Sequence, residues 1–593
     1  MLRIMRYLKA GELLAAAVCL GLIVAQVWLD LKLPGYMYEV TTLVQTPGST
    51  MGEIWANGGY MLLCALGSLA SSVMVGFVVA MIGSSFARRV RSMLFAKVES
   101  FSLEEMGRFS TPSLITRSTN DVTQVQMFIV MGMQMMVKAP ITAVWAVTKI
   151  AGKGFEWTLV TGVGVLLVLA MVSLLMVFVI PKFRMMQTLT DNITRVAREN
   201  LTGLRVVRAY NAEGYQGAKF EAANAELTDT HLYTNRAMAI MMPFMTLIMS
   251  GLSIAIYWVG AYLVDAAGMA PNAAGTPERL AVFSNMVVFS NYAIQVIMSF
   301  MMISIVFVML PRAGVAARRI NEVLGTEPSI VGGGAETGLA GSEGEVEFRD
   351  VSFRYPESAD YALENVSFKV RKGETAAIIG STGSGKTTLV SLIPRFRDAT
   401  EGTVLVGGVD VREYRHESLL NAIGYVPQRS VLFTGTVGSN VGYGDNGRGA
   451  FSAEAIAAAS ETAQCAEFVM RMDGGLDAAI AQGGTNVSGG QKQRISIARA
   501  VCREPEVLVF DDSFSALDFR TDKELRGALR EKLPGTTRIV VAQRIGTIMD
   551  SDVIVVLEEG RVVGIGRHGD LLRDCLVYRE IAESQLSEGE LAS

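Results

Sequence analysis

The chain has 593 residues; half are hydrophobic, 19% are charged, and the formal charge is -4. That balance excludes an intrinsically disordered chain, and five cysteines in this length exclude a disulfide-stapled scaffold. The slightly acidic total gives no reason to expect nucleic acid as a partner.

The apolar residues are concentrated in the first half. Six stretches are nearly free of Asp, Glu, Lys and Arg and approach or exceed the roughly 20 residues that cross a bilayer. They are residues 13–29, 55–87, 127–148, 157–180, 237–264 and 280–311, and they predict a six-span α-helical membrane domain over residues 1–324. The first has no small-residue cleavage site after it and reads as an inserted span. Basic clusters precede span one (Arg3, Arg6, Lys9) and follow spans two (Arg88, Arg89, Arg91), four (Lys182, Arg184) and six (Arg312, Arg318, Arg319). The positive-inside rule puts them in the cytoplasm, together with both termini. The outer connections are then Asp30–Ile54, Lys149–Glu156 and Asp265–Arg279, all short. The inner connections, Arg88–Gln126 and Pro181–Arg236, are too long for bare loops and predict helices that continue into the cytoplasm. Within them, Glu104–Leu114 and Ala209–Phe220 are candidate docking segments.

Two features of the spans bear on cargo. Methionines cluster at Met131–Met136, Met238–Met249 and Met298–Met302, and flexible thioethers suit promiscuous apolar surfaces, although packing or lipid contact explains many of them equally well. Lys138, close to Pro140, is a charge inside span three and therefore a functional candidate.

From 325 to 344 the composition turns to Gly, Ser, Glu and Thr and predicts a flexible linker. Residues 345–585 then alternate β-rich runs with helical patterns, as in an α/β domain, and 586–593 form an acidic tail. Val346–Phe353, Ala376–Ile379, Val507–Phe510 and Arg538–Ala542 are expected strands.

The chemistry begins after Ile379. Gly380, Ser381, Thr382, Gly383, Ser384, Gly385, Lys386, Thr387 and Thr388 fit the phosphate-loop pattern G-x-x-x-x-G-K-T between a strand and a helix. Glycines let backbone N–H groups converge on phosphate oxygens, Lys386 adds positive charge, and Thr387 offers a hydroxyl to Mg²⁺. Val507–Asp511 is an apolar strand ending in a carboxylate, the arrangement that holds Mg²⁺ through water in P-loop enzymes. Val487, Ser488, Gly489, Gly490 and Gln491 place a serine and two glycines at a helix start.

This last run closely resembles the signature sequence of ATP-binding-cassette (ABC) proteins. Together with six spans and one cassette, it makes the whole chain similar to an ABC half-transporter of the exporter type. The resemblance implies ATP and Mg²⁺ as cofactors, with Thr387, Asp511 and Gln428 around the metal, partly through water. It implies that Tyr355 stacks on adenine, that Ser515–Asp518 links two sites, and that Ser488–Gln491 reaches across a dimer to the γ-phosphate on the other chain. Gln482–Gly484 falls where exporters touch their cytoplasmic helices. The implied location is a bacterial cytoplasmic (inner) membrane, with the cassette in the cytoplasm.

Two positions depart from the family pattern. Asp512 stands where the family has the glutamate that polarises the attacking water, and Gln543 stands where it has a histidine. The aspartate is one methylene shorter, and a neutral amide cannot carry charge as imidazole does. The resemblance therefore extends to the degenerate-site subunit of a heterodimeric exporter. Its catalytic positions Asp512 and Gln543 are expected to be slow, and its signature is expected to complete the active site of a second half-transporter chain. The expected cargo is a small amphipathic molecule, a lipid or a peptide. A homodimeric exporter, a nucleotide-gated regulatory or channel-like subunit, and an uptake machine remain open alternatives.

Overall fold

The computed structural model describes residues 2–46, 48–151, 154–268, 276–356 and 358–586. They form two compact units, one of residues up to Glu99 with Thr111–Thr326, the other of Ser100–Ser110 with Glu327 onward.

The first unit is helical. Its long helices are Ala10–Gln45, Met51–Glu99, Val122–Ile150, Phe155–Thr202, Glu213–Gly268 and Thr276–Leu324. Counting the short helix and π-turn that lead into the third, six helical segments among the described residues are long and apolar enough to cross a membrane. Large apolar side chains such as Trp55, Leu66 and Phe77 are exposed on them, which suits contact with lipid tails. Inward-facing residues, among them Ile23, Val27, Val79, Ile256, Phe289 and Ile297, form one packed cluster. Trp157 lies 5.5 Å from Phe289, and Tyr292 Oη donates to Leu31 O at 2.9 Å, so aromatic packing and one buried hydroxyl tie helices one, four and six together.

The span limits read from charge-free runs fall inside longer helices. The first helix does not stop at Leu29. It continues through Pro34 to Gln45, so most of the outer connection Asp30–Ile54 is helical. Pro140, Pro181, Pro243 and Pro311 also lie inside long helices, since neighbouring helices can satisfy the backbone groups that proline frees. The inner connections are helical throughout most of their length, with short helices Leu103–Arg108 and Leu204–Ala209 between the long ones. Residues 269–275 of the third outer connection, 152 and 153 of the second, and 587–593 of the tail lie outside the described residues.

The second unit is α/β. Its strands are β1 Val346–Phe353, β2 Leu363–Val370, β3 Thr375–Gly380, β4 Glu401–Val406, β5 Val409–Asp410, β6 Ile423–Val426, β7 Gly435–Thr436, β8 Ala479–Ile480, β9 Val507–Asp511, β10 Thr537–Val541, β11 Val553–Glu558 and β12 Arg561–Gly566. An antiparallel sheet runs β2-β1-β4-β5, a six-stranded sheet runs β12-β11-β3-β10-β9-β6, and β7 pairs with β8. In the six-stranded sheet, β11, β3, β10, β9 and β6 are parallel. The residues of β9 and β10 are all buried, as expected for parallel strands covered on both faces.

The glycine-rich segment after Leu324 is not a free tether. Gly333 N–H donates to Tyr414 O at 2.8 Å, Ala335 N–H to Glu413 O at 2.9 Å, and Arg415 N–H returns to Ala335 O at 2.8 Å. Leu339 N–H adds a bond to Gly407 O at 2.8 Å. A Cβ on Gly333 would fall 2.1 Å from Glu413 O, so the glycine is there to let two backbones meet. Composition alone could not separate that use of glycine from flexibility.

Candidate nucleotide site

Neighbouring parallel strands end at one edge, and their C-terminal ends assemble the site. β10 lies between β3 and β9, and β6 flanks β9. The ends of β3, β10, β9 and β6 deliver the loop 380–385, Gln543, Asp511 with Asp512, and Gln428, respectively. This is the crevice at the carboxyl end of an open α/β sheet where ligands bind.

The loop after β3 needs its glycines. Gly383 and Gly385 have φ of +89° and +95°, and a Cβ on Gly385 would meet Ala362 O at 2.7 Å. The short helix Lys386–Ser391 follows directly. Lys386 Nζ curls back over the loop and donates to Gly380 O at 2.9 Å and Ser381 O at 2.6 Å, with Ser384 Oγ at 3.4 Å. Burial pushes the Lys386 ammonium below its ordinary range, against the pull of Asp512 and Asp511.

Thr387 Oγ1 donates to Asp511 Oδ1 at 2.8 Å, and Tyr425 Oη donates to Asp511 Oδ2 at 3.2 Å. Burial holds the Asp511 carboxyl above its usual range, with the Asp512 charge adding to the rise. Burial likewise raises the Tyr425 phenol. A half-buried lysine, a glycine cradle and a hydroxyl–carboxylate pair fit a magnesium nucleotide. Lys386 would hold its phosphates, and Thr387 and Asp511 its metal.

Asp512 is tightly placed. Its φ is +49°, its N–H donates to Val541 O at 3.1 Å, and its carbonyl accepts from Ser515 Oγ at 2.9 Å. Its Oδ2 accepts from both Gln428 Nε2 at 3.2 Å and Gln543 Nε2 at 2.9 Å. The two departures from the family pattern thus touch each other. Gln428 gives its amide N–H to Asp512, the neighbour of Asp511 in the chain.

The remaining candidates are elsewhere. Tyr355 Oη lies 2.8 Å from Thr388 Oγ1, its ring stands edge-on to Phe353, and the Arg397 guanidinium covers it at 4.9 Å. Thr388 therefore braces the aromatic side chain. Ser488 caps the helix Gly489–Cys502: Gln491 N–H donates to Ser488 Oγ at 3.3 Å, and Ser488 N–H to Gln491 Oε1 at 2.9 Å. Asp518 caps the helix Phe519–Lys532 through Thr521 N–H at 2.9 Å. Among the described residues no hydrogen bond joins either cap to the phosphate loop. Gly489 and Gly490 leave the signature turn free of side chains.

Sequence reading missed Tyr425, Arg397 and Gln585. Gln585, just after the helix Leu576–Glu583, donates from Nε2 to Gln543 O at 2.9 Å and accepts from Ile545 N–H at 2.9 Å. One side chain thus clamps the backbone on both sides of Arg544.

Residues 18–289 match the family model described as the ABC transporter transmembrane region, and residues 363–515 match that described as ABC transporter. An uncharacterized ABC transporter ATP-binding protein of Mycobacterium tuberculosis is 40% identical over 89% of this chain and 87% of its own length. An ATP-dependent lipid A-core flippase of Aromatoleum aromaticum is 30% identical over 86% of this chain and 82% of its own length. The solved structure of a bacterial Atm1-family ABC exporter with ATP bound shares the fold, with a TM-score of 0.77, 23% identity and 98% of each chain covered. The chain belongs to the ABC transporter family, as a half-transporter of the exporter type that carries membrane region and ATP-binding domain on one polypeptide.

Proposed function

We propose that this chain exports small amphipathic molecules, lipids or peptides as the degenerate-site half of a heterodimer. Its own site holds Mg²⁺ and ATP but hydrolyses slowly, and its Ser488–Gln491 segment completes the catalytic site of a partner chain. The flippase relative supports an amphipathic cargo.

The observation that carries the reading is the convergence of two neutral amides on Asp512 Oδ2. A general base must lie within hydrogen-bond reach of the proton it takes. Here the retracted carboxylate is engaged by Gln428 and Gln543, and neither amide can take up or relay a proton. ATP supplies the energy by its binding and hydrolysis. Lys386 positions the phosphates, Thr387 and Asp511 orient the metal, and Arg397 and Tyr355 form the base-stacking wall. Ser488 presents helix N–H groups to a nucleotide held by the partner.

The test is phosphate release by the full chain alone in nanodiscs, then mixed with a half-transporter carrying Glu and His at the two matching positions. Slow release alone and fast release in the mixture support the reading. Brisk release by the chain alone, abolished by Asp512→Ala, makes it a homodimeric pump instead.

A further inference from the structure

Three of the long helices bring polar and apolar side chains together around one cavity of about 380 Å³ in the membrane unit. Asp30, Pro34 and Met37 lie on one face of the first helix, Lys138 and Thr142 one turn apart on the third, and Gln295 and Met302 on the sixth. That volume lies in the range of small-molecule sites.

Two observations set it apart from a packing defect. Lys138 Nζ lies 3.4 Å from Asp30 Oδ2, and both side chains stay about a third exposed, at 28% and 32%. A tight charge-assisted pair closes to roughly 2.7–2.9 Å, whereas this one stays longer and leaves both charged groups partly accessible. Ser68 holds the other Asp30 oxygen, which fixes the carboxylate in place. Second, Thr142 Oγ1 is buried without a hydrogen-bond partner among the described residues, although a helical threonine ordinarily returns its hydroxyl to the preceding turn.

We infer that this cavity binds an amphipathic zwitterion, a molecule with an ammonium and an acidic group on an apolar body. The ligand's ammonium takes Lys138's place at Asp30, and its acid takes Asp30's place at Lys138. One ion pair becomes two, and no charge is stranded at low dielectric. Met37 and Met302 adapt to the apolar part. A ligand with one charge blocked leaves Asp30 or Lys138 unpaired and is rejected. A short apolar peptide and an aminophospholipid headgroup share this chemistry.

The assignment rests on the export reading but is tested without nucleotide. Equilibrium binding to the full chain in phosphatidylcholine nanodiscs is measured for Met-Leu-Phe, its N-acetyl and C-amide forms, lysophosphatidylethanolamine and its N-acetyl form. At least one zwitterion should bind on the order of 10- to 100-fold more tightly than its blocked forms, the range of a charge-assisted hydrogen bond. Which of them does so identifies the source. Asp30→Asn should erase discrimination against the N-acetyl form, and the exchange Asp30→Lys with Lys138→Asp should restore it. Equal binding of zwitterions and blocked forms, or a preference that survives Asp30→Asn, overturns the proposal. ATP-driven movement of lipid or peptide by a chain without the preference sinks the cavity assignment alone. An intact preference without ATP-driven movement sinks the export reading alone.

Discussion

Restoring the two departed side chains should speed the nucleotide site. Asp512 is fixed by its left-handed backbone, the Val541 bond and the Ser515 bond, so its carboxylate cannot advance by backbone movement. Asp512→Glu adds one methylene and carries the carboxylate forward by on the order of 1 Å, and misplacement on that scale costs about 10²-fold in rate. That corresponds to about 2.7 kcal/mol of barrier. Gln543→His replaces an amide 2.9 Å from the carboxylate with a group that titrates near neutrality. Because both changes act on one oxygen, their effects should be coupled, and the double variant should exceed either single one without equalling their product. The assay is steady-state phosphate release by the full chain in nanodiscs at saturating Mg-ATP, with Lys386→Ala in the same background as the blank. A double variant within twofold of the parent refutes the reasoning, because the slow step then lies outside Asp512 and Gln543.

Gln585→Ala removes two neutral hydrogen bonds from an exposed loop, so exchange of the Ile545 amide should accelerate by about tenfold while the fold survives; unchanged protection means the clamp is idle. Gly333→Ala should destabilise the ATP-binding unit by about 1–3 kcal/mol, read from denaturant midpoints, since its Cβ meets Glu413 O at 2.1 Å; no loss means the segment is a loose tether. The raised Asp511 carboxyl implies a pH dependence in nucleotide-free protein. Ionisation is penalised in the fold, so as pH falls through the raised value toward the ordinary aspartate range the folded state takes up its proton first and gains stability. Asp511→Asn should flatten that part of the profile, and an unchanged slope in thermal midpoint against pH counts against the burial argument.

The candidate nucleotide site was legible as a cluster because its residues follow patterns local in sequence. A phosphate loop must follow a strand with glycines in fixed places, and its carboxylate partner must end another strand, so the two motifs together singled out Lys386, Thr387 and Asp511, of which Thr387 and Asp511 meet in the fold. Partners brought in by sheet order left no such signal. Tyr425 reads as an ordinary strand residue until β6 is seen beside β9. Gln585 lies far along the chain from the loop it clamps. The first helix was cut short because the charge of Asp30 ends the uncharged run. Asp30 instead finds Lys138 and Ser68 on neighbouring helices, a pairing that only packing reveals. The segment after Leu324 misled because glycine permits both looseness and close approach.

That close approach decides where the ATP-binding unit can be separated from the rest of the polypeptide. Starting it at Glu345, where the composition becomes domain-like, would strip a strip of backbone from Tyr414, Glu413 and Gly407 and leave their carbonyls bare. Severing the chain near Glu327 keeps that strip with the sheet it lines. A protease added to the intact protein should accordingly pass over residues 333–339, despite a run of glycines that looks open to attack.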